Sequence, residues 1–391
     1  MAEESREPEQ AAWRSIMRRL RSPVVTAIVL IASVVVGCGA DRLSEPEELS
    51  ELSEPEAEEL AREYQVAAED CNLSALGQLF DFDAALRRGL LASSLSTQSQ
   101  RWLYDKTRGR PRVLQNTLCI PEGGHLTLLS LRRFPTNGQN SALFRIDFDE
   151  FGGFDYLEVL LGKSRDGRNI ADDLYFYSGG WLASEQMRDS SVAVASNYNN
   201  SDKFRETLQL LTSDPGAGMT AAKQLSPGVR ASKTLMLEVV RASIELGPEA
   251  YSQAIKEFSD RFPGDASLDF ITIDGLYVLA QWEQLLSTID KFGQAVGGDP
   301  WLDELRLGIL VEAKFFERAR ELVARRVADY QEDETWPHLS VDVELEAKNY
   351  PAAIANMKHI AESLGTIWGE ELVADDMYPE FGQSKEWKLY N

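Results

Sequence analysis

The last third of this 391-residue chain carries an internal repeat, and a repeat of this kind restricts the fold to stacked copies of one small unit. Four aromatic residues recur 31, 34 and 34 residues apart. Each is followed three residues later by Ala or Leu and seven residues later by another apolar residue. The four aromatics are Tyr251, Trp282, Phe316 and Tyr350. The spacing predicts pairs of helices in which a small side chain lets two helices approach and the aromatic wedges between neighbouring pairs.

This pattern resembles the tetratricopeptide repeat, whose period is about 34 residues. Pro263 and Pro300 lie where the second helix of a pair would end, because proline cannot continue a helix. The resemblance implies an all-α, TPR-like solenoid over residues 235–391, with the segment after Trp368 capping the last repeat. A generic α-solenoid or helical bundle is the alternative.

In repeats of this type, partners usually lie along the concave face formed by the first helix of each pair. Alignment on the aromatics places five carboxylates on or near that face: Asp274, Glu304, Glu312, Asp342 and Glu346. Such a row would suit a basic peptide. A solvated acidic face without a partner is the alternative.

The middle of the chain, residues 64–200, predicts a different kind of domain. Four strand-like runs follow a helical segment and are joined by short turns that contain glycine or Asn-Gly. The runs cover residues 125–134, 142–148, 154–161 and 169–177. This order predicts an α+β domain with helices packed on one face of an antiparallel four-stranded sheet. Residues 201–234 form a transition, with one helix near residues 204–211 and Pro-Gly breaks after it.

The later part of this domain contains the runs at residues 152–161, 166–167, 170–172 and 175–179. Over about 60 residues this pattern resembles NTF2-like and cystatin-like α+β domains. The resemblance implies a curved sheet whose hollow takes a small ligand, lined by Tyr156, Asp172, Tyr175 and Tyr177, with Asp173 beside them. Packing in a half-buried sheet is the other interpretation of strand tyrosines. No catalytic motif is present, and the three histidines have no second His or Cys at ligand spacing. The sequence therefore predicts no enzyme, no metal and no cofactor.

The N-terminal region predicts export. Three arginines between positions 18 and 21 precede an apolar run over residues 24–36, and Gly37 and Cys38 follow it. This order is typical of a secretory signal. The ending resembles the lipobox of bacterial lipoproteins, which implies cleavage before Cys38 and a lipid on its thiol. An uncleaved anchor over residues 23–40 is the alternative, although the apolar run is short of the roughly 20 residues that span a bilayer.

The resemblance implies a cell-envelope protein held to the membrane by the lipid on Cys38. Gly39, rather than Asp, follows the cysteine, which in Gram-negative lipoproteins favours the outer membrane. Because acidic residues crowd the first sixteen positions, translation could start at Met17 and shorten the signal peptide of residues 1–37. Residues 38–63 predict an acidic linker that proline and like charge extend away from the membrane.

The net charge of −23 argues against nucleic acid as a partner, since phosphates need Lys and Arg. Cys71 and Cys119 are the cysteines other than Cys38, and an oxidising envelope permits a disulfide between them. Two buried free thiols are the alternative, and the sequence alone favours it.

We expect a non-enzymatic, lipid-anchored adaptor or scaffold that binds a protein or peptide through its repeats. A small-ligand or enzymatic role of the α+β pocket and a purely structural role are the alternatives.

Overall fold

The computed structural model describes residues 42–108, 118–120, 124–148, 153–195, 198–265, 267–329, 335–366, 368 and 378–390. These residues form two compact units. The sheet unit contains the described residues up to Leu279 together with residues 295–297. The helical unit contains residues 280–294 and the described residues from Gly298 onward. The division therefore lies later in the chain than the expected boundary near residue 234.

The sheet unit begins with helices that start at polar caps. These helices are α1 (Glu54–Glu69), α2 (Leu73–Leu79), α3 (Phe82–Leu91) and α4 (Thr97–Thr107). Asn72 and Asp81 precede α2 and α3, and their side chains accept backbone N–H bonds three residues later. Such caps satisfy N–H groups that the first helical turn leaves without partners. The sequence therefore sets these helix starts locally.

A five-stranded antiparallel sheet follows in the order β1-β2-β3-β4-β5. Its strands are β1 (Gly124–Arg133), β2 (Asn140–Phe148), β3 (Gly153–Lys163), β4 (Asn169–Phe176) and β5 (Trp181–Leu182). The prediction of an antiparallel sheet is confirmed, but the predicted number of four strands was wrong. The fifth strand has two residues, and two residues are too few to show the alternation by which strands are recognised.

The first face of the sheet packs against α1 to form the main core. Leu60, Tyr64 and Ala67 of α1 are buried. The ring of Tyr64 lies 6.3 Å from that of Phe144 on β2, measured between centroids. Alternate residues of β3, such as Leu157 and Leu161, belong to the same cluster. Because side chains alternate between the two faces of a strand, these apolar residues all lie on the face that packs against the helices.

Further helices of the sheet unit follow the sheet. They are α5 (Ala183–Ala195), α6 (Tyr198–Ser213), α7 (Pro215–Gln224), α8 (Pro227–Arg230), α9 (Lys233–Ile244), α10 (Pro248–Arg261) and α11 (Ser267–Val278). Phe270 of α11 packs on Phe154 and Tyr156 of β3, with ring centroids 5.4 and 5.8 Å apart. Helices therefore cover the second face too, whereas the sequence predicts helices on one face.

The Pro-Gly segments that predict chain breaks in residues 201–234 are helix starts. Asp214 precedes Pro215, and its carboxylate accepts the N–H of Ala217 at 3.0 Å. Ser226 and Pro227 begin α8 in the same order. Proline is favoured in the first helical turn because the N–H it lacks would have no helical partner there.

The segment expected to be an acidic tether is folded onto the sheet unit over residues 42–53. Leu43 and Leu52 are buried in the main core. Ser50 exchanges two backbone hydrogen bonds of 2.9 Å with Lys163 at the end of β3. The tether interpretation of this segment was wrong, because apolar residues spaced among its acids supply enough burial to dock it.

Cys71 and Cys119 form a disulfide, with Cα atoms 4.8 Å apart. The bond joins the turn after α1 to residues 118–120, and Ile120 N–H donates to the Ala68 carbonyl beside it at 3.0 Å. The interpretation of these cysteines as buried free thiols was therefore wrong. Cysteine spacing alone cannot show pairing, because the two residues are 48 positions apart and meet through tertiary structure.

The helical unit consists of consecutive helices. They are α12 (Trp282–Ala295), α13 (Trp301–Glu312), α14 (Phe316–Asp329), α15 (Thr335–Glu346), α16 (Tyr350–Leu364), α17 (Pro379–Gln383) and α18 (Lys385–Tyr390). The final residue of α12 groups with the sheet unit. In the helical unit α13 packs on α14, α14 on α15 and α15 on α16. Three of the repeating aromatics are the first residues of α12, α14 and α16.

A residue with left-handed backbone lies two positions before each of those aromatics. These residues are Ala280, Lys314 and Lys348, with φ of 52°, 60° and 54°. Non-glycine residues rarely adopt this conformation, so its recurrence every 34 residues marks one repeated turn. The C-terminal residues Phe381 and Trp387 are buried with Met357 of α16. The described end of the chain therefore packs on the last helix pair.

Two tyrosines give opposite expectations for stability. The buried hydroxyl of Tyr64 has no hydrogen-bond partner among the described residues, whereas that of Tyr251 donates to the Thr272 carbonyl at 3.2 Å. We expect Tyr64→Phe to leave the free energy of unfolding unchanged or to raise it by up to about 1 kcal/mol, because it removes a polar group without a partner. Tyr251→Phe should lower it by about 1 kcal/mol. Denaturant unfolding of both variants checks this, and a clear loss for Tyr64→Phe would contradict it.

Candidate functional site

The expected ligand hollow on the sheet is filled by protein side chains. Tyr156, Tyr175 and Tyr177 are at most 6% exposed. The ring of Tyr177 lies 5.1 Å from that of Tyr175 and 6.1 Å from that of Tyr156, and both pairs meet edge to face. Phe270 closes the same face from α11. Among the described residues these tyrosines form a second core and line no open pocket.

Asp172, expected beside those tyrosines, is held by other parts of the sheet unit. Arg88 of α3 donates to its carboxylate at 2.8 Å and also to its backbone carbonyl. Gln139 donates to the second carboxylate oxygen at 3.1 Å. Since its oxygens are occupied, Asp172 acts as a link between α3, the turn after β1 and β4.

A buried ion pair lies at the centre of the second sheet face. Glu158 of β3 is 0% exposed, and Arg132 of β1 donates to both of its oxygens, at 2.8 and 2.5 Å. Ser141 and Tyr177 donate to the same oxygens at 2.6 and 3.0 Å. Arg132 also donates to the Ala295 carbonyl at 2.6 Å. The carboxylate is fully hydrogen-bonded, as a buried charge must be.

The surroundings of Arg132 hold it in the charged form. Burial is the largest single influence and alone would lower the pKa of its guanidinium, but Glu158 and Tyr177 together outweigh burial and raise that pKa. Burial and the same carboxylate raise the pKa of Tyr177. The tyrosine therefore remains a hydroxyl donor. This arrangement is suited to a rigid core.

A second polar group joins the sheet to its covering helices. Tyr175 donates to Asp265 at 3.0 Å, and Lys233 at the start of α9 forms an ion pair with the same carboxylate. The Lys233 ammonium also lies 5.6 Å from the ring centroid of Tyr175 and 5.8 Å from that of Phe262. These contacts tie β4 to α9 and to the segment before α11.

Two further buried carboxylates bind backbone N–H groups where the chain leaves the sheet. Asp155 accepts from Tyr156 and Ser178 at 2.7 and 2.9 Å, and Asp173 accepts from Leu174 and Ser184 at 2.9 and 3.1 Å. Burial raises the pKa of each to about 6, and the hydrogen bonds offset only part of this effect. Their pKa values are typical of functional sites, but both side chains are closed to solvent.

The five expected partner-binding carboxylates are divided between the two units. Asp274 belongs to α11 of the sheet unit and is partly buried. Glu304 and Glu312 lie on α13 of the helical unit, where Glu312 is exposed. Asp342 and Glu346 lie one turn apart on α15 and are partly buried.

Asp342 and Glu346 already have a contact within the chain. Burial and the charges of these two carboxylates raise the pKa of Tyr378, which lies just before α17. Burial and the charge of Glu346 raise the pKa of Asp342 to about 6, and His338 on the same helix opposes this shift. The C-terminal residues therefore occupy the part of the row that α15 contributes.

Two arginines of α14 form ion pairs with the neighbouring helices α13 and α15. Arg320 donates to both oxygens of Glu344 on α15, each at 2.8 Å. Arg326 forms an ion pair with Asp303 on α13, which Arg306 also contacts. Glu344 and Asp303 are buried. Removing Arg320 would leave Glu344 without its arginine partner, whereas Asp303 would still pair with Arg306 if Arg326 were removed. These pairs fix the stacking of three consecutive helices.

Two expectations concern membrane and metal. Cys38, with its signal and lipobox, lies outside the described residues. No helix in the described ranges combines the length and apolar character needed to cross a bilayer. Within the same ranges, no three His, Cys, Asp or Glu side chains converge in a way that could hold a metal ion.

Comparison with known proteins finds no matching family, curated protein or solved structure. Function must therefore be argued from the residues themselves. No sequence motif marks Arg132, Glu158, Lys233 and Asp265, because these residues meet only in the folded chain. One signal was available: Glu158 is a single charge inside the otherwise apolar end of a strand. A lone charge in such a run indicates a buried partner.

The buried pair gives a prediction with an internal control. We expect Glu158→Gln to lower the free energy of unfolding by about 3–5 kcal/mol, because Arg132 then lacks an anionic partner in the core. The double variant Arg132→Met/Glu158→Leu should recover much of this loss, since no buried charge remains. Denaturant unfolding measures all variants. A cost below about 1 kcal/mol for Glu158→Gln would contradict the role assigned to the pair.

The raised pKa of Asp155 sets a pH dependence. Between about pH 4 and 6 the folded carboxyl keeps a proton that the unfolded chain has released, so stability falls as pH rises through this window. We expect Asp155→Asn to flatten the slope by at most about 1.4 kcal/mol per pH unit. Asp166→Asn is the matched control, because Arg168 and Ser164 lower the pKa of that exposed group to about 2. An unchanged slope in Asp155→Asn would contradict the prediction.

Proposed function

We propose that this chain is a lipid-anchored envelope protein that binds a protein or peptide through TPR-like helix pairs. One observation carries the proposal. The helices α11, α13 and α15 each have twelve residues, and each is followed by the same left-handed turn and a second helix with an aromatic at its start. A turn repeated every 34 residues is typical of helical repeats, whose usual role is to present an extended binding surface.

Charge indicates the kind of partner. The net charge of −23 attracts basic ligands and repels acidic ones. Most residues of α13 are buried, whereas Glu304 is partly exposed and Glu312 is exposed. We assign partner contact to these two residues. Asp342 and Glu346 take part only if the C-terminal residues around Tyr378 move away. The proposed role involves no chemical step.

Two features support an envelope location. The Cys71–Cys119 disulfide persists in oxidising compartments such as the periplasm or cell surface, and is rare in the cytosol. The lipobox-like ending at Cys38 is a separate feature of the sequence that implies the same compartment. The proposed anchor is the lipid on Cys38, and the signal peptide would be removed.

Site-specific photocrosslinking in intact cells tests the binding surface. We expect a crosslinkable residue at Glu312 to capture one defined product, because this carboxylate is exposed on the first helix of a pair. The matched control is the same residue at Arg325, which is exposed on the second helix α14. The measurement is the yield and size of crosslinked species on a denaturing gel.

Charge reversal completes this test. Glu304→Lys, combined with the crosslinker at position 312, should reduce the product several-fold if a basic partner binds there. Equal products at positions 312 and 325 would contradict the assigned surface. Unchanged yield after charge reversal would contradict the basic partner, and the absence of any product would favour a purely structural role.

A further inference from the structure

The folded position of residues 42–53 has a consequence for any anchor at Cys38. We define this segment as the strap. Only four residues separate Cys38 from Leu43, and Leu43 is 4% exposed in the main core. An extended chain covers at most about 3.6 Å per residue, so Cys38 stays within about 18 Å of Leu43. The 26 residues of the expected linker could have reached roughly 85 Å.

The strap is bound along one end of the sheet, and we call this the strap end. It comprises the turns at residues 134–139 and 164–168 and the strand residues that flank them, Arg133, Asn140 and Lys163. Asn140 donates to the Leu52 carbonyl at 2.9 Å, and Arg165 N–H donates to Glu47 at 2.8 Å. The strap therefore crosses both turns before it enters α1.

Packing and charge hold the strap in place. A Cβ on Gly162 would lie 2.5 Å from the Leu49 side chain, so Leu49 sits directly on the β3 backbone. Three strap-side acids pair with bases of the strap end: Glu47 with Arg165, Glu51 with Arg133 and Glu56 with Lys163, at 3.3, 2.8 and 2.6 Å. Detaching the strap would expose two buried leucines and separate these pairs. Pairing also removes charge that anionic headgroups would repel.

We propose that the strap end is the membrane-facing surface of this protein, and that the bilayer carrying the lipid of Cys38 is its partner. This inference rests on the proposed lipid anchor. The short connection holds the sheet unit against the lipid headgroups, because Leu43 stays within about 18 Å of the lipidated Cys38. A long flexible linker would instead let the unit move away from the membrane. The strap itself sets this distance, because it shortens the free chain from 26 residues to four.

Two labelled variants test the orientation. Arg165→Cys places a probe at the strap end, where the side chain is 82% exposed. Val66→Cys places it on α1, where Val66 is 59% exposed and lies about 18 Å along the helix axis from its start beside the strap. Cys71 and Cys119 are disulfide-bonded and Cys38 would carry lipid, so the new thiol is the one labelled. Each full chain is extracted from bacterial membranes and reconstituted in phosphatidylcholine–phosphatidylglycerol vesicles with nitroxide-labelled headgroups.

We expect headgroup nitroxides to quench the probe at position 165 several-fold more strongly than the probe at position 66. Inserting twenty Gly/Ser residues after Ala40 adds roughly 25 Å of root-mean-square reach and should abolish the difference. Equal quenching at both positions without the insertion overturns the inference. Quenching at position 165 that survives the insertion also overturns it, because the short reach would then not be the cause.

Mass spectrometry of the Cys38 peptide separates this inference from the proposed anchor. An acylated Cys38 with equal quenching at both positions overturns the membrane-facing surface alone. An unacylated chain recovered in the soluble fraction overturns both proposals. An unacylated chain that stays in the membrane overturns the lipid on Cys38. Its quenching is then measured in a Cys38→Ser background, where the new thiol is again the one labelled. The expected quenching there would support the membrane-facing surface, because an anchor over residues 23–40 leaves an equally short connection.

Discussion

The packing of the sheet unit depends on one carboxylate that has no exposed surface. Glu158 lies on the third of five strands and carries its charge into a low-dielectric core, where an unpaired ion is strongly destabilising. Arg132 supplies the opposite charge, and Ser141 and Tyr177 complete the hydrogen bonds. This network needs a cover that excludes water, and α11 provides part of it through Phe270. The expected ligand hollow becomes a second core for this reason.

The helical unit depends on a different combination of forces. Its apolar residues and repeated left-handed turns set the length of each helix pair, whereas arginines of α14 pair with buried acids on both neighbouring helices. Buried ion pairs add little net stability compared with apolar packing, but they penalise any other alignment of the helices. Repeated turns with specific cross-links are what a binding surface of fixed shape requires. This is the physical basis of the adaptor role proposed for the repeats.

The strap connects the fold to the proposed location. An acidic, proline-containing segment has the composition of an extended linker, yet Leu43, Leu49 and Leu52 attach it to the sheet unit. Because the strap packs on the sheet, only four residues connect Cys38 to the folded chain, instead of a long flexible linker. If Cys38 carries a lipid, the same contacts that complete the core also place the sheet near the bilayer. Stability and position relative to the membrane would then have one structural cause.

Local signals determined much of this protein. Strand-like runs joined by short turns predict four of the strands, caps such as Asn72 and Asp81 set helix starts, and the aromatic spacing marks the first residues of α12, α14 and α16. Tertiary structure alone decided the Cys71–Cys119 bond, the partner of Glu158, the covered second face and the docked strap. Propensity, periodicity and capping act over a few residues and are visible in the sequence. Pairing and burial depend on groups that are distant in sequence and become neighbours only when the chain folds.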